Sequence, residues 1–215
     1  MAEQRPEDSA AAKAFEVLDR TVEYDGFFRL ERLGLRFSLF EGGWSAPIER
    51  EVYAHGHAAA VVLYDPAADR VVLIEQFRAA AINAPGGPWQ IEIVAGLIDP
   101  GETPEDVVRR EAVEEAGCSV EGVELIGEFL LSPGGSSDRM FLYCARIDSS
   151  EAGGIHGLIE EGENIRVFTM ATDDAMAAIS DGRIGNATCV IGLQWLALNR
   201  TRLRAAWQPS EMASP

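Results

Sequence analysis

The sequence predicts an α+β fold with a mixed sheet, and three observations predict it. Short apolar runs, alternating or continuous and too brief for helices, recur from residue 27 to about residue 170. One capped segment, from Pro104 to Ala116, interrupts them as a helix. Two more helical segments, "DDAMAAISDG" and "ATCVIGLQWLALNR", follow the last run. The order strands, helix, strands, helices is not the regular alternation that builds a parallel sheet.

The elements follow in order. Residues 1 to about 14 are polar and alanine-rich, a frayed or helical tail. "FFRLERLGLRFSLF" carries Leu33, Leu35, Phe37 and Leu39 at period two, a strand. "EGGWSAP" punctuates, and "IEREVYA" resumes the extended pattern as part of a small N-terminal antiparallel sheet. "HAAAVVLY" and "RVVLIEQF" are apolar strands joined by "DPAAD", which has hairpin turn chemistry. "WQIEIVAG" alternates, with Trp89, Ile91 and Ile93 on one face and Gln90 and Glu92 on the other. "VELIGEFLLS" and "MFLYCARI" are strands around the loop "PGGSSD", and "IRVFTM" is a further strand. Gly182 ends the first C-terminal helix. The expected division is an N-terminal tail with a small sheet domain over 1–55, a main domain over 56–207 and a loose tail over 208–215.

Bulk properties exclude some functions. The 215 residues, 47% hydrophobic, suffice for one sizeable core, alone or with a small appendage. A net charge of -17 repels nucleic-acid backbones and anionic membranes. It also repels a phosphate-bearing small molecule unless a bound cation reverses the local field. Cys118, Cys144 and Cys189 are widely spaced and read as small buried hydrophobes in a reducing compartment. His55 and His57 are spaced as a ligand pair on a strand could be, but the three histidines make no metal pattern. No apolar run reaches the length of a membrane span, and the first residues lack a secretory signal, so a cytoplasmic protein is expected.

The segment "GLIDPGETPEDVVRREAVEEAG" is the most acidic stretch. Thr103 caps, Pro104 suits the first helical position, Asp106 takes the capping-box position and Gly117 stops the helix. Glu111, Glu114 and Glu115 then project on one side, with Val108 and Ala112 on the inward face. A solvated helix face is one reading of these glutamates. Against it, same-side carboxylates repel one another, and the macrodipole disfavours negative charge near a helix C-terminus. The other reading makes them hard oxygen ligands for Mg²⁺ or Mn²⁺, with carbonyls lent by the loop "AGLIDPGE".

Gly96, five residues, Glu102, seven residues, then "REAVEEAGC" from Arg110 to Cys118 resembles the Nudix box of the Nudix hydrolases at all nine defined positions. Ala112 and Cys118 fill its two apolar slots. The resemblance implies a Nudix α/β/α sandwich, a divalent metal bound by the box, and hydrolysis of a diphosphate linked to another moiety. Pro133, sixteen residues beyond Gly117, resembles the ADP-ribose pyrophosphatase branch, although "SPGG" would form a turn in any case. "HGHAAAVVLYD", "VVLIEQFR", "PWQIEIVAG" and "GLIEEGENIRV" look like the same branch, with His55 where an arginine is common. Members of that branch are homodimers that exchange the small N-terminal sheet, so the resemblance implies that the sheet domain over 1–55 is a dimerising one.

Carried over residue by residue, the resemblance implies metal ligands at Glu111, Glu115 and Glu163 with the Ala95 carbonyl, and Glu114 acting through water. Glu161 in the loop "EEGEN" becomes the catalytic base, where an acidic loop of no function is the alternative. Arg78 is placed to meet a diphosphate, or else forms a strand-end salt bridge. Phe27 and Arg50 match the positions that hold adenine, although Phe27 could equally be core. Leu97, Pro133 and Asp138 complete the substrate residues, and Asp138 stands where a glutamate would touch the terminal ribose. The implied reaction converts ADP-ribose to AMP and ribose 5-phosphate. Its rivals are hydrolysis of another nucleotide sugar such as GDP-mannose, and a Nudix module that binds nucleotide without catalysis.

Overall fold

The computed structural model describes residues 13–207, so the two terminal tails expected from the sequence lie outside the described residues. The chain divides into two compact units. The first runs to Gly56 and takes in Leu130–Asp138; the second holds His57–Phe129 and the chain from Arg139 onward.

The first unit is a three-stranded antiparallel sheet of β1 (Phe15–Asp25), β2 (Arg29–Phe37) and β3 (Ile48–Ala54), in that order. β1 is an element that the sequence pattern does not announce. Its charges interrupt the apolar alternation, and cross-strand ion pairs account for them: Arg36 with Glu16 and Arg32 with Glu23. Much of this unit's aromatic surface is exposed, including Phe15 and Tyr24 of β1 and Phe27 and Phe40 in the connections.

The second unit is built on a mixed sheet of eight strands: β4 (Ala58–Asp65), β5 (Arg70–Phe77), β6 (Trp89–Glu92), β7 (Val94–Leu97), β8 (Gly122–Leu130), β9 (Arg139–Arg146), β10 (Gly154–His156) and β11 (Ile165–Ala171). The order is β10-β11-β5-β4-β9-β8, with β6 on β5 and β7 on β4. β4 and β9 run parallel; the pairs β4–β5 and β5–β11 are antiparallel.

Three helices cover its two faces: α1 (Pro104–Glu114), α2 (Thr172–Ser180) and α3 (Ala187–Trp207). The continuous apolar run in β4 has a simple cause. Ala60, Val62 and Tyr64 point to one core with Ala175, Leu193 and Leu196 of α2 and α3. Ala59, Val61 and Leu63 point to the other with Val107, Val108 and Ala112 of α1. A strand buried on both faces has no solvent side, so it loses its polar alternation. Each fully buried Val or Leu contributes about 1.5–3 kcal/mol relative to exposure. The result is the mixed α+β fold the sequence pattern predicts, in the α/β/α arrangement the resemblance implies. Among the described residues no helix is long and apolar enough to cross a membrane.

The β4–β5 turn is tied to the helices through Asp69, a non-glycine residue at φ 57°. Its carboxylate accepts from Arg200, from Arg204 at 3.1 Å, from the Tyr64 hydroxyl at 2.8 Å and from Thr172 at 3.2 Å. The Arg200 guanidinium holds this carboxyl below the usual aspartate range against the opposing effect of burial, with Tyr64 and Arg204 assisting. Asp69→Asn keeps a residue that tolerates this backbone and should cost about 1–3 kcal/mol at neutral pH. A depressed carboxyl stabilises the fold above its unfolded pKa, near 4, and loses that contribution as pH falls through its folded value. Thermal unfolding of the two proteins should therefore differ most at neutral pH and converge in acid below about pH 4.

Candidate active site

α1 begins with the capping box that the sequence predicts. The Thr103 hydroxyl accepts the Asp106 N–H at 3.2 Å, and the Asp106 carboxylate accepts the Thr103 N–H at 2.9 Å. The helix ends at Glu114, with Glu115 as its C-cap and Gly117 at φ +64°. A side chain at Gly117 would be strained in that conformation, and its Cβ would lie 2.6 Å from His156. The Gly157 N–H donates to the Glu114 carbonyl at 3.2 Å, which joins the C-terminal end of α1 to the acidic loop.

Glu115 is 2% exposed, and its carboxylate accepts the Ala95 N–H at 3.0 Å. Burial pushes its carboxyl up to about 8; the Ala95 bond opposes, the charges of Glu111 and Glu163 add, and Arg78 pulls it down. Burial also raises Glu111, with Arg110 opposing and Glu114 and Glu163 adding. Glu163 accepts the Leu158 N–H at 2.9 Å. The structure thus brings Ala95, Glu111, Glu114, Glu115, Glu163 and Arg78 into one electrostatic neighbourhood. Leu97 joins it through its carbonyl, which accepts from Arg110 at 3.2 Å. Glu161 lies exposed in a 3-10 turn, Ile159–Glu161, of the acidic loop.

Arg110, which opens the run "REAVEEAGC", is a site residue to which the sequence reading assigns no role of its own. It donates to Glu102, to Glu111 at 2.7 Å and to Glu114 at 3.1 Å, so one guanidinium gathers three carboxylates. Its place within the same helical turn as the glutamates was the available signal. Arg78 forms the salt bridge that was its alternative reading, to Glu92 at 2.9 Å.

The remaining residues assigned from the sequence belong to the first unit. Phe27 is 75% exposed, which removes the core alternative. Its ring centroid lies 4.1 Å from that of His55, whose Nδ1 meets the Phe27 carbonyl at 3.0 Å. Arg50 sits on β3. Asp138 accepts the backbone N–H of His55 at 3.0 Å. Pro133 is in the loop after β8.

Among the described residues no three His, Cys, Asp or Glu side chains form a ready-made metal cluster. The donor chemistry nevertheless fits a hard divalent cation. Buried carboxylates that raise one another's pKa hold charge the protein neutralises only in part, and oxygen ligands of this kind suit Mg²⁺ or Mn²⁺. Gly96 supports the same reading, since its missing side chain leaves the space that Glu111 occupies. A Cβ there would lie 1.7 Å from a Glu111 carboxylate oxygen. Gly96→Ala should therefore displace the end of a flexible side chain, leaving the melting temperature nearly unchanged while reducing turnover more than about tenfold.

The family model described as the NUDIX domain matches residues 54–187. The chain belongs to the Nudix family. It is 44% identical over 192 residues to the ADP-ribose pyrophosphatase of Escherichia coli, covering 89% of this chain and 92% of that protein. The ADP-ribose pyrophosphatase of Haemophilus influenzae is 42% identical over 198 residues, 91% of each chain. The GDP-mannose pyrophosphatase of Cronobacter sakazakii is 39% identical over 151 residues, covering 70% of this chain and 78% of that protein. A crystal structure of an ADP compounds hydrolase superposes with a TM-score of 0.66 at 19% identity, covering 91% of this chain and 97% of that one; this likeness concerns the fold alone. As a Nudix hydrolase the chain falls in a family that generally uses divalent metal ions.

Proposed function

We propose that this Nudix hydrolase cleaves the diphosphate of ADP-ribose, giving AMP and ribose 5-phosphate. The observation that carries the proposal is 44% identity over nine-tenths of the chain to an ADP-ribose pyrophosphatase, with Glu111, Glu114 and Glu115 all in place. Intact glutamates argue against a module that only binds nucleotide. Glu111, Glu115 and Glu163, with the Ala95 carbonyl and Glu114 through water, would hold Mg²⁺, or Mn²⁺ in its place. That ion supplies charge neutralisation at the diphosphate and a more electrophilic phosphorus. Glu161 takes the proton of the attacking water. Arg78 meets the diphosphate charge. Phe27 and Arg50 hold the adenine, and Leu97, Pro133 and Asp138 complete the contacts to substrate.

We further propose a homodimer with exchange of the small sheet β1–β3, which the exposed aromatic residues of that unit favour. Three free cysteines accord with a reducing, cytoplasmic compartment. Neither nucleic acid nor a membrane is a partner of so acidic a chain.

GDP-mannose is the second substrate to test, because relatives at 32–39% identity are named for it. Incubation with ADP-ribose, GDP-mannose, NADH and diadenosine polyphosphates, with Mg²⁺ or with EDTA, should give AMP and ribose 5-phosphate from ADP-ribose fastest. EDTA should abolish the activity. Faster release of GMP from GDP-mannose would overturn the substrate assignment and leave the chemistry standing.

A further inference from the structure

Glu92 is a carboxylate at the end of β6 that is 5% exposed. A lone buried charge is costly, so its partners define its purpose. It has three, two from the end of β5 and one from the start of α3. Gln76 of β5 donates to Oε2 at 3.3 Å. Arg78, just beyond β5, donates to the same oxygen through Nε at 3.0 Å, and its Nη2 lies 2.9 Å from that oxygen in the salt bridge. Asn186, immediately before α3, donates through Nδ2 to Oε1 at 2.8 Å.

The orientation of the Asn186 amide is fixed. Its Oδ1 accepts the Cys189 N–H at 3.2 Å, which caps the first turn of α3, so its NH₂ must face Glu92. The two oxygens of Glu92 therefore have different tasks. One is anchored to the start of a helix, and the other holds one edge of a guanidinium. Arg78 itself is half-exposed, and among the described residues no acceptor is bonded to its Nη1. Burying one member of an ion pair is a poor way to gain stability, since apolar residues of like volume often do as well. It is a good way to fix the direction of a long, flexible side chain.

We propose that Glu92, anchored by Asn186, is a positioning residue that holds Arg78 with its remaining edge turned toward the substrate diphosphate. This rests on the assignment of Arg78 to the diphosphate. It follows that Glu92 affects kcat/KM only through Arg78. Substrate then meets a guanidinium already oriented, so less side-chain freedom is lost on binding.

The test is a double-mutant cycle in the full-length protein, with ADP-ribose and Mg²⁺, using Arg78→Ala, Glu92→Gln and their combination. Arg78→Ala should lower kcat/KM about a hundredfold, and Glu92→Gln about tenfold, mainly through KM. In the Arg78→Ala background Glu92→Gln should change kcat/KM less than about twofold. A merely structural Glu92 would instead lower activity by the same factor in both backgrounds, and that result overturns the proposal while the Arg78 assignment stands. Unchanged kcat/KM in Arg78→Ala alone overturns the Arg78 assignment and the proposal with it. Should Glu92→Gln fail to fold, Asn186→Asp runs the same cycle: it keeps the cap acceptor for Cys189 but replaces the donor to Glu92 with a repelling carboxylate. Its loss should likewise vanish in the Arg78→Ala background, and its persistence there counts against the proposal.

Discussion

Glu115→Gln is expected to lower turnover by more than about a hundredfold, the loss of several kcal/mol of transition-state stabilisation, while leaving the fold intact. The side chain is 2% exposed and accepts the Ala95 N–H, a bond that the glutamine carbonyl can reproduce. The substitution removes a carboxyl whose ionisation burial, Glu111 and Glu163 all disfavour. In EDTA the variant should therefore unfold at the same temperature as the parent or a higher one. Saturating Mg²⁺ should reverse the order. A ligand that binds only the folded state stabilises it by about 2.7 kcal/mol at a hundred times its Kd, and the variant should gain much less. A thermal melt in EDTA and in Mg²⁺, with the turnover of each protein beside it, checks all three statements. Parental turnover at limiting Mg²⁺ would sink the assignment of Glu115 as a ligand.

The parts of this site that the sequence discloses are those governed by local rules. α1 carries its own start in Thr103 and Pro104, its own stop in Gly117, and its inward face in Val108 and Ala112, all within a few residues of one another. The two-sided burial of β4 was likewise legible, because an apolar run without alternation offers no face to solvent. What stayed hidden depends on distant partners. Alternation placed Glu92 opposite Ile91 and Ile93, as if outward, yet Glu92 is buried and Trp89 is 64% exposed. The strand breaks between Glu92 and Val94, and side chains from β5 and from the start of α3 decide what Glu92 faces. α3 runs on to Trp207, beyond the expected Arg200, because Leu203 is buried while Arg202 pairs with Glu124. β10 has only three residues, too few for any period to register.

Glu161→Gln is the second large effect, and its signature differs from that of Glu115. Glu161 sits in a turn closed by its own backbone: the Leu158 carbonyl accepts from the Glu161 N–H at 3.0 Å and from the Glu163 N–H at 3.1 Å, and Gly162 takes a left-handed conformation at φ +74°. The carboxylate of Glu161 is exposed and has no hydrogen-bond partner among the described residues, so the turn does not depend on it. Stability should change by less than about 0.5 kcal/mol, and the Mg²⁺-dependent rise in melting temperature should persist. If Glu161 takes the proton of the attacking water, kcat should fall about 10²–10⁴-fold with KM nearly constant, since a base acts in the transition state and contributes little to substrate binding. Glu160→Gln, at the exposed neighbour in the same turn, should leave kcat within about twofold of the parent, as surface substitutions usually do. A large loss in Glu160→Gln with an active Glu161→Gln would move the base by one residue. Two active variants would remove it from both exposed glutamates, and leave Glu163 and the carboxylates of α1 to account for activation of the water.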